Sequence, residues 1–106
     1  GVTRTLEVAE LAQQANLPVT LHSANLSLVT LFSAHIMGSI PNAGKYLEFS
    51  IEGLDYYPWQ ANIFSPNYEI VEGQLKMDHQ PGWGVEINPE WLSQTQYQVS
   101  YTGSRF

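Results

Sequence analysis

Two residues of this 106-residue chain combine the type and the placement needed for acid–base chemistry: His22 and Glu48. His22 closes the run Pro18-Val-Thr-Leu-His22, and Glu48 lies near the end of Lys45-Tyr-Leu-Glu48-Phe49. An imidazole changes charge near neutral pH and can act as a general acid or base where a partner positions it. Each run is too short and too strand-like for a helix, and one helical pattern separates them. Each therefore reads as a strand that delivers one ionisable side chain to its carboxyl end, where α/β proteins place their chemistry. Spacing alone leaves plainer readings open. A strand-end histidine can cap the following helix, and a strand-end glutamate can pair with a neighbour such as Lys45.

The remaining reactive types are less pointed. His35 falls within a helical pattern and His79 in a loop, and both read as structural or solvent-facing; the three histidines share no metal-ligand spacing. The cluster Tyr56-Tyr57-Pro58-Trp59 could stack a sugar, or simply fill a joint between parts of a larger fold. Pro81-Gly-Trp-Gly lacks the lysine and the strand–loop–helix setting of a phosphate loop. Asn25-Leu-Ser27 matches a glycosylation acceptor, a signal that carries weight only behind a secretory leader. With no cysteines in the chain, disulfides, thiolate metal sites and cysteine nucleophiles are excluded.

The elements that must position His22 and Glu48 follow from periodicity. Leu6, Val8, Ala9, Leu11, Ala12 and Ala15 put one apolar stripe on a helix from Thr3 to about Ala15, with Thr3 or Thr5 as its cap and Asn16 as a left-handed stop. Pro18 opens the first strand. Ser23 or Asn25 can cap a second helix, Leu26 to Met37, which is apolar on most sides and ends at Gly38. A loop through Pro41 returns the chain to the second strand, Tyr46 to Phe49. Helix–strand–helix–strand with such connections implies two neighbouring parallel strands. Residues 50–67 read as irregular with one helical turn, Glu72-Gly73 as a two-residue hairpin turn, and Asn88-Pro89 as a helix cap with proline at the first helical position. The polar end with Tyr97 and Tyr101 reads as a loosely packed tail. Two parallel strands are too few for a sheet that stands alone, so the expectation is a partial sheet or barrel completed by missing sequence or by other copies of the chain.

Composition bounds the partners. Only 13% of residues are charged, about half the usual quarter, while 43% are apolar, so much of the surface is expected to be neutral or covered. The net charge is −6 and the four basic residues do not cluster, which argues against nucleic acid or an anionic membrane. No run approaches the roughly 20 apolar residues of a membrane span and no basic-then-apolar leader is visible, so the expected location is cytoplasmic.

Gly1-Val-Thr-Arg-Thr opening a helix, Leu17 to His22 closing one strand, Tyr46 to Phe49 closing the next, and Glu72-Gly-Gln-Leu with Asp78-x-x-Pro-Gly-x-Gly-Val-Glu-Ile at a fixed distance beyond form a succession. From residue 1 to about Leu92 it resembles the C-terminal end of enolase-superfamily enzymes. The closer likeness is to the mandelate racemase branch of the mandelate racemase and muconate lactonizing enzyme family, including its acid-sugar dehydratases.

The resemblance implies an α/β fold that is part of a TIM-type (β/α)7β barrel. Residues 1–49 would be its last βα units, and residues 50–106 a tail with a hairpin that returns to a capping domain. It implies an enzyme that abstracts the proton next to a substrate carboxylate, with Mg2+ stabilising the enediolate and a small carboxylate or sugar acid as substrate. By position His22 corresponds to the general base and Glu48 to the glutamate that hydrogen-bonds the substrate carboxylate. A histidine at this strand end fits the racemising and dehydrating branches without choosing between an acid-sugar dehydratase, the favoured parent, and a racemase or epimerase. The metal ligands, the lysine motif and the carboxylate that orients the histidine belong to earlier strands. No metal ligand or cofactor contact is therefore assigned to this chain, and alone it is expected to be inactive. The contrasting expectation is a non-catalytic module that self-associates as a homo-oligomer.

Overall fold

The computed structural model describes residues 1–77 and 79–99. Asp78 of the glycine-rich motif and Tyr101 of the expected tail lie outside the described residues. Helix α1 spans Val2–Gln14 and helix α2 spans Leu28–Ser39; β1 is Phe64–Ser65, β2 Glu69–Val71, β3 Gln74–Lys76, β4 Glu86–Ile87, and helix α3 Pro89–Gln94. The strands make two separate antiparallel pairs, β1 with β4 and β2 with β3. Among the described residues no helix is long and apolar enough to cross a membrane.

Local chemistry accounts for several of these boundaries. Asn88 accepts the Glu90 N–H at 3.0 Å with Pro89 at the first helical position, so α3 starts where a proline loses nothing. Glu72 and Gly73 both have positive φ, 50° and 75°, as a two-residue hairpin turn matched to strand twist demands. Asn16, at φ 56°, terminates α1 in the left-handed region as expected.

The caps of the two long helices differ from expectation. Gly1 rather than Thr3 or Thr5 precedes α1, without a side-chain cap, and Thr5 Oγ1 donates back to the Gly1 carbonyl. The cap of α2 is Ser27, whose hydroxyl accepts the Val29 N–H at 3.2 Å; Asn25 sits one tier back and accepts both the N–H and the hydroxyl of Ser27. Two short polar residues in sequence can each serve as a cap, and the one that faces the first turn wins. α2 continues through Gly38 to Ser39, because a glycine with nothing to replace its helical bonds costs only about 1 kcal/mol.

The core is small. Ala9, Ile36 and Ile40 are buried, with Val19, Leu21 and Ala43 packed against them. α2 buries Leu31, Ala34, Ile36 and Met37, as its nearly all-round apolar pattern predicts. Within α1 Ala9 is buried and Ala12 partly so, while the larger members of its expected apolar stripe stay open, with Leu6 at 42%, Val8 at 53% and Leu11 at 65% exposure. The radius of gyration is 16.0 Å, against about 13 Å for a compact domain of this length.

Where two parallel strands are expected, a single parallel bridge forms, Val19 with Ala43. The Val19 N–H donates to the Asn42 carbonyl at 2.9 Å and the Gly44 N–H donates to the Val19 carbonyl at 2.7 Å, after which no ladder continues. Parallel pairing is stable when flanked by further strands and covered on both faces, and among the described residues none adds to either side of this pair. The approach at the bridge is close: any side chain at Gly44 would overlap the Thr20 hydroxyl. Asn42 ties the junction together, its side-chain amide donating to the carbonyls of Ala9 at 2.9 Å and Leu17 at 3.1 Å. Asn42→Ala removes both bonds at a half-buried place and is expected to lower stability by about 1–3 kcal/mol, read as a lower midpoint in urea with little change in slope.

Candidate active site

The bridge sets two chain segments side by side, and beyond it each carries one of the two reactive residues, His22 three residues after Val19 and Glu48 five residues after Ala43. The two meet: His22 Nδ1 lies 2.6 Å from Glu48 Oε2. The same oxygen accepts the backbone N–H of Ser23 at 3.0 Å. A carboxylate oxygen that receives a backbone donor has a fixed direction, and a ring nitrogen facing it must carry hydrogen.

The His22 side chain is 88% exposed and that of Glu48 40%. A pair this open contributes little to stability, so its consequence is geometric. Sequence leaves open whether Glu48 would bond Lys45, and the structure directs it to His22 instead; the Lys45 ammonium lies over the Tyr46 ring, 5.2 Å from its centroid.

The other histidines stand apart. His35 donates from Nε2 to the Trp83 carbonyl at 2.9 Å and packs edge-on against that indole, with ring centroids 5.3 Å apart. It fastens the glycine-rich loop to α2. His79 is exposed. Among the described residues no three His, Asp or Glu side chains converge in a way that could hold a metal ion.

The loop after His22 is held by residues that sequence reading assigned no such role. The Trp59 indole donates to the Asn25 carbonyl at 2.8 Å and the Tyr68 hydroxyl to the Ser27 carbonyl at 2.7 Å. Between these carbonyls Leu26 takes a left-handed backbone, φ 50°, which costs a leucine about 1–2 kcal/mol. Burial pushes the Tyr68 hydroxyl up to about 12, against the opposing pull of the nearby Thr30 side chain and Leu31 backbone. It therefore stays protonated, and a donor, far above neutral pH. Ser23 Oγ is buried without a partner among the described residues. Two cavities include neither member of the pair, one of about 360 Å³ between His35, Tyr68, Trp83 and Val85, and one of about 440 Å³ between Leu26, Phe49, Leu54 and Ile70.

Comparison with known proteins places this geometry in context. Residues 1–91 match the profile of the family described as enolase C-terminal domain-like. A candidate racemase from Roseobacter denitrificans is 62% identical in sequence and superimposes with a TM-score of 0.84 over 92% of this chain and 27% of its own. A candidate L-alanine-DL-glutamate epimerase from Burkholderia xenovorans strain LB400, whose structure holds magnesium and fumarate, is 26% identical with a TM-score of 0.72, over 85% of this chain and 21% of its own. A mandelate racemase subgroup enolase from Agrobacterium tumefaciens shares the fold, with a TM-score of 0.64. Among curated proteins, the D-xylonate dehydratase of Haloferax volcanii is 26% identical over 88 residues, which are 83% of this chain and 20% of that enzyme. The chain thus spans about a fifth to a quarter of the length of these relatives.

Proposed function

We propose that this chain, which belongs to the enolase C-terminal domain-like family, supplies the base side of an active site that removes the proton next to a substrate carboxylate. The observation that carries this reading is the contact between His22 Nδ1 and Glu48 Oε2. With hydrogen on Nδ1 directed at a carboxylate, the neutral ring presents its lone pair at Nε2, and no hydrogen bond among the described residues engages that atom. The open exposure of the ring leaves room for a substrate to approach. Once Nε2 takes the proton, the imidazolium lies beside Glu48, whose negative charge stabilises it. Oε2 is occupied by His22 and Ser23, so the substrate-binding part that the resemblance gives Glu48 falls to Oε1.

The family resemblance implies Mg2+ for the charge that develops on the substrate. The described residues do not fit that ion by themselves: the one convergent pair is an imidazole bonded to a carboxylate oxygen, whereas magnesium takes six ligands, mostly oxygen. Residues 1–49 are read as the last βα units of a (β/α)7β barrel, whose earlier strands would bring the metal, and residues 50–106 as the segment returning toward a cap. The relatives support a small carboxylate as substrate, a sugar acid or an amino-acid derivative. Dehydration and racemisation both begin with the same proton removal.

The test is a graft. Residues 1–91 replace the corresponding part of the 62% identical Roseobacter protein, and exchange of the proton α to the carboxylate is followed by NMR in D2O with magnesium present. The panel of sugar acids and amino-acid derivatives is widened until the unaltered relative exchanges one. Retained exchange in the graft, with none from the isolated chain, is the expected result; a folded graft without exchange would overturn the proposal.

The uncovered apolar face of α1, with Val8 and Leu11 more than half exposed, favours a second reading alongside the first, that the isolated chain covers itself by self-association. Light scattering at micromolar concentration is expected to give twice the chain mass or more, and a monomeric mass would dismiss this reading.

A further inference from the structure

We infer that Trp59 and Tyr68 are positioning residues for His22, acting through the loop 23–27; the inference rests on the reading of His22 as the base. That loop runs directly from His22 to Ser27, the cap of α2. Its Asn25 and Ser27 carbonyls are gripped by the Trp59 indole and the Tyr68 hydroxyl at 2.8 and 2.7 Å. Leu26, between them, is 4% exposed and has φ 50°. A leucine keeps such a backbone only where its surroundings over-determine it, and the two donors hold the peptide groups on either side of it.

At the other end of the loop, the Ser23 N–H and His22 Nδ1 share Glu48 Oε2. Tyr68 also reaches the second segment, its ring standing edge-on to Phe49, the neighbour of Glu48, at 5.3 Å. One tyrosine therefore touches both the His22 loop and the Glu48 segment. His22, at 88% side-chain exposure, has almost no packing of its own to fix its rotamer. Its direction is borrowed from the loop, and the loop takes its form from residues that follow Glu48. Without either donor, Leu26 can relax to negative φ, the Ser23 N–H turns away from Glu48, and the imidazole is released.

The intact chain, labelled with 15N-histidine, tests this. The ring-nitrogen resonances of neutral His22 report which nitrogen carries hydrogen. In the unaltered chain the Nδ1–H form is expected to dominate. Tyr68→Phe loses only the donor, and Trp59→Phe loses the donor together with one of its two fused rings; each is expected to lower the ratio of Nδ1–H to Nε2–H roughly tenfold, the effect of about one hydrogen bond. Asn88→Ala, which weakens the cap of α3 and removes no hydrogen bond to the loop, is expected to leave the ratio unchanged, and that separates positioning from a general loss of stability. Glu48→Ala supplies the reference for a lost pair. If Glu48→Ala leaves the ratio unaltered, the pair is absent and the proposed function falls with it. If Glu48→Ala lowers the ratio and neither Trp59→Phe nor Tyr68→Phe does, the positioning role alone is overturned.

Discussion

His22→Asn in the grafted enzyme is expected to reduce exchange of the substrate α-proton by about 10²–10⁴, the span that positioned general bases contribute. The fold should not change, because the His22 side chain is 88% exposed and packs against nothing that the substitution removes. Asparagine keeps a donor near Glu48 but has no lone pair of comparable basicity where Nε2 stands. The deficit should therefore lie in the chemical step: the maximal rate falls while the substrate concentration for half-saturation stays within a few-fold. A loss confined to half-saturation would assign His22 to binding instead, and an unaltered exchange rate would remove it from the site.

The second large effect separates two substitutions of Glu48. Glu48→Ala takes away the acceptor shared by His22 Nδ1 and the Ser23 N–H. The imidazole then loses its preferred tautomer and the charge that would stabilise its protonated form. A fall in exchange of about 10²-fold or more is expected, within the range assigned to acid–base groups. Glu48→Gln keeps one oxygen to accept from His22 and Ser23, and its amide nitrogen takes the place of Oε1. It should retain all but about one hydrogen bond's worth of rate, roughly tenfold. Equal losses in the two variants would mean that the negative charge, rather than the hydrogen-bond geometry, is what His22 needs.

How far these sites are legible in the sequence depends on the reach of each interaction. The Glu72-Gly73 turn and the Asn88-Pro89 cap are decided within four residues, and the structure places both where sequence puts them. The helical character of α1 is equally local, but what covers its apolar face is not: among the described residues Ala9 is buried and Ala12 partly so, while Leu6, Val8 and Leu11 stay open. The juxtaposition of His22 and Glu48 is readable from their matching places beyond two adjacent segments. Their direct bond is not, since Lys45 is an equally good partner on composition. The contacts of Trp59 and Tyr68 with the His22 loop cross 34 and 41 residues, and no local pattern announces them. The expected parallel strands reduce to one bridge because a ladder depends on neighbours that a short stretch of sequence does not encode.

The bridge between Val19 and Ala43 also bears on which changes in chain length the site can absorb. The ladder stops at Gly44 and the chain bends at Lys45, so no strand register decides where Glu48 falls. The reach from the bridge to the carboxylate is set by the length of this stretch. An insertion or deletion between Gly44 and Glu48 would displace the carboxylate from the imidazole with no ladder to restore it. Relatives that keep the pair should therefore keep this length, a constraint imposed by the backbone rather than by the chemistry.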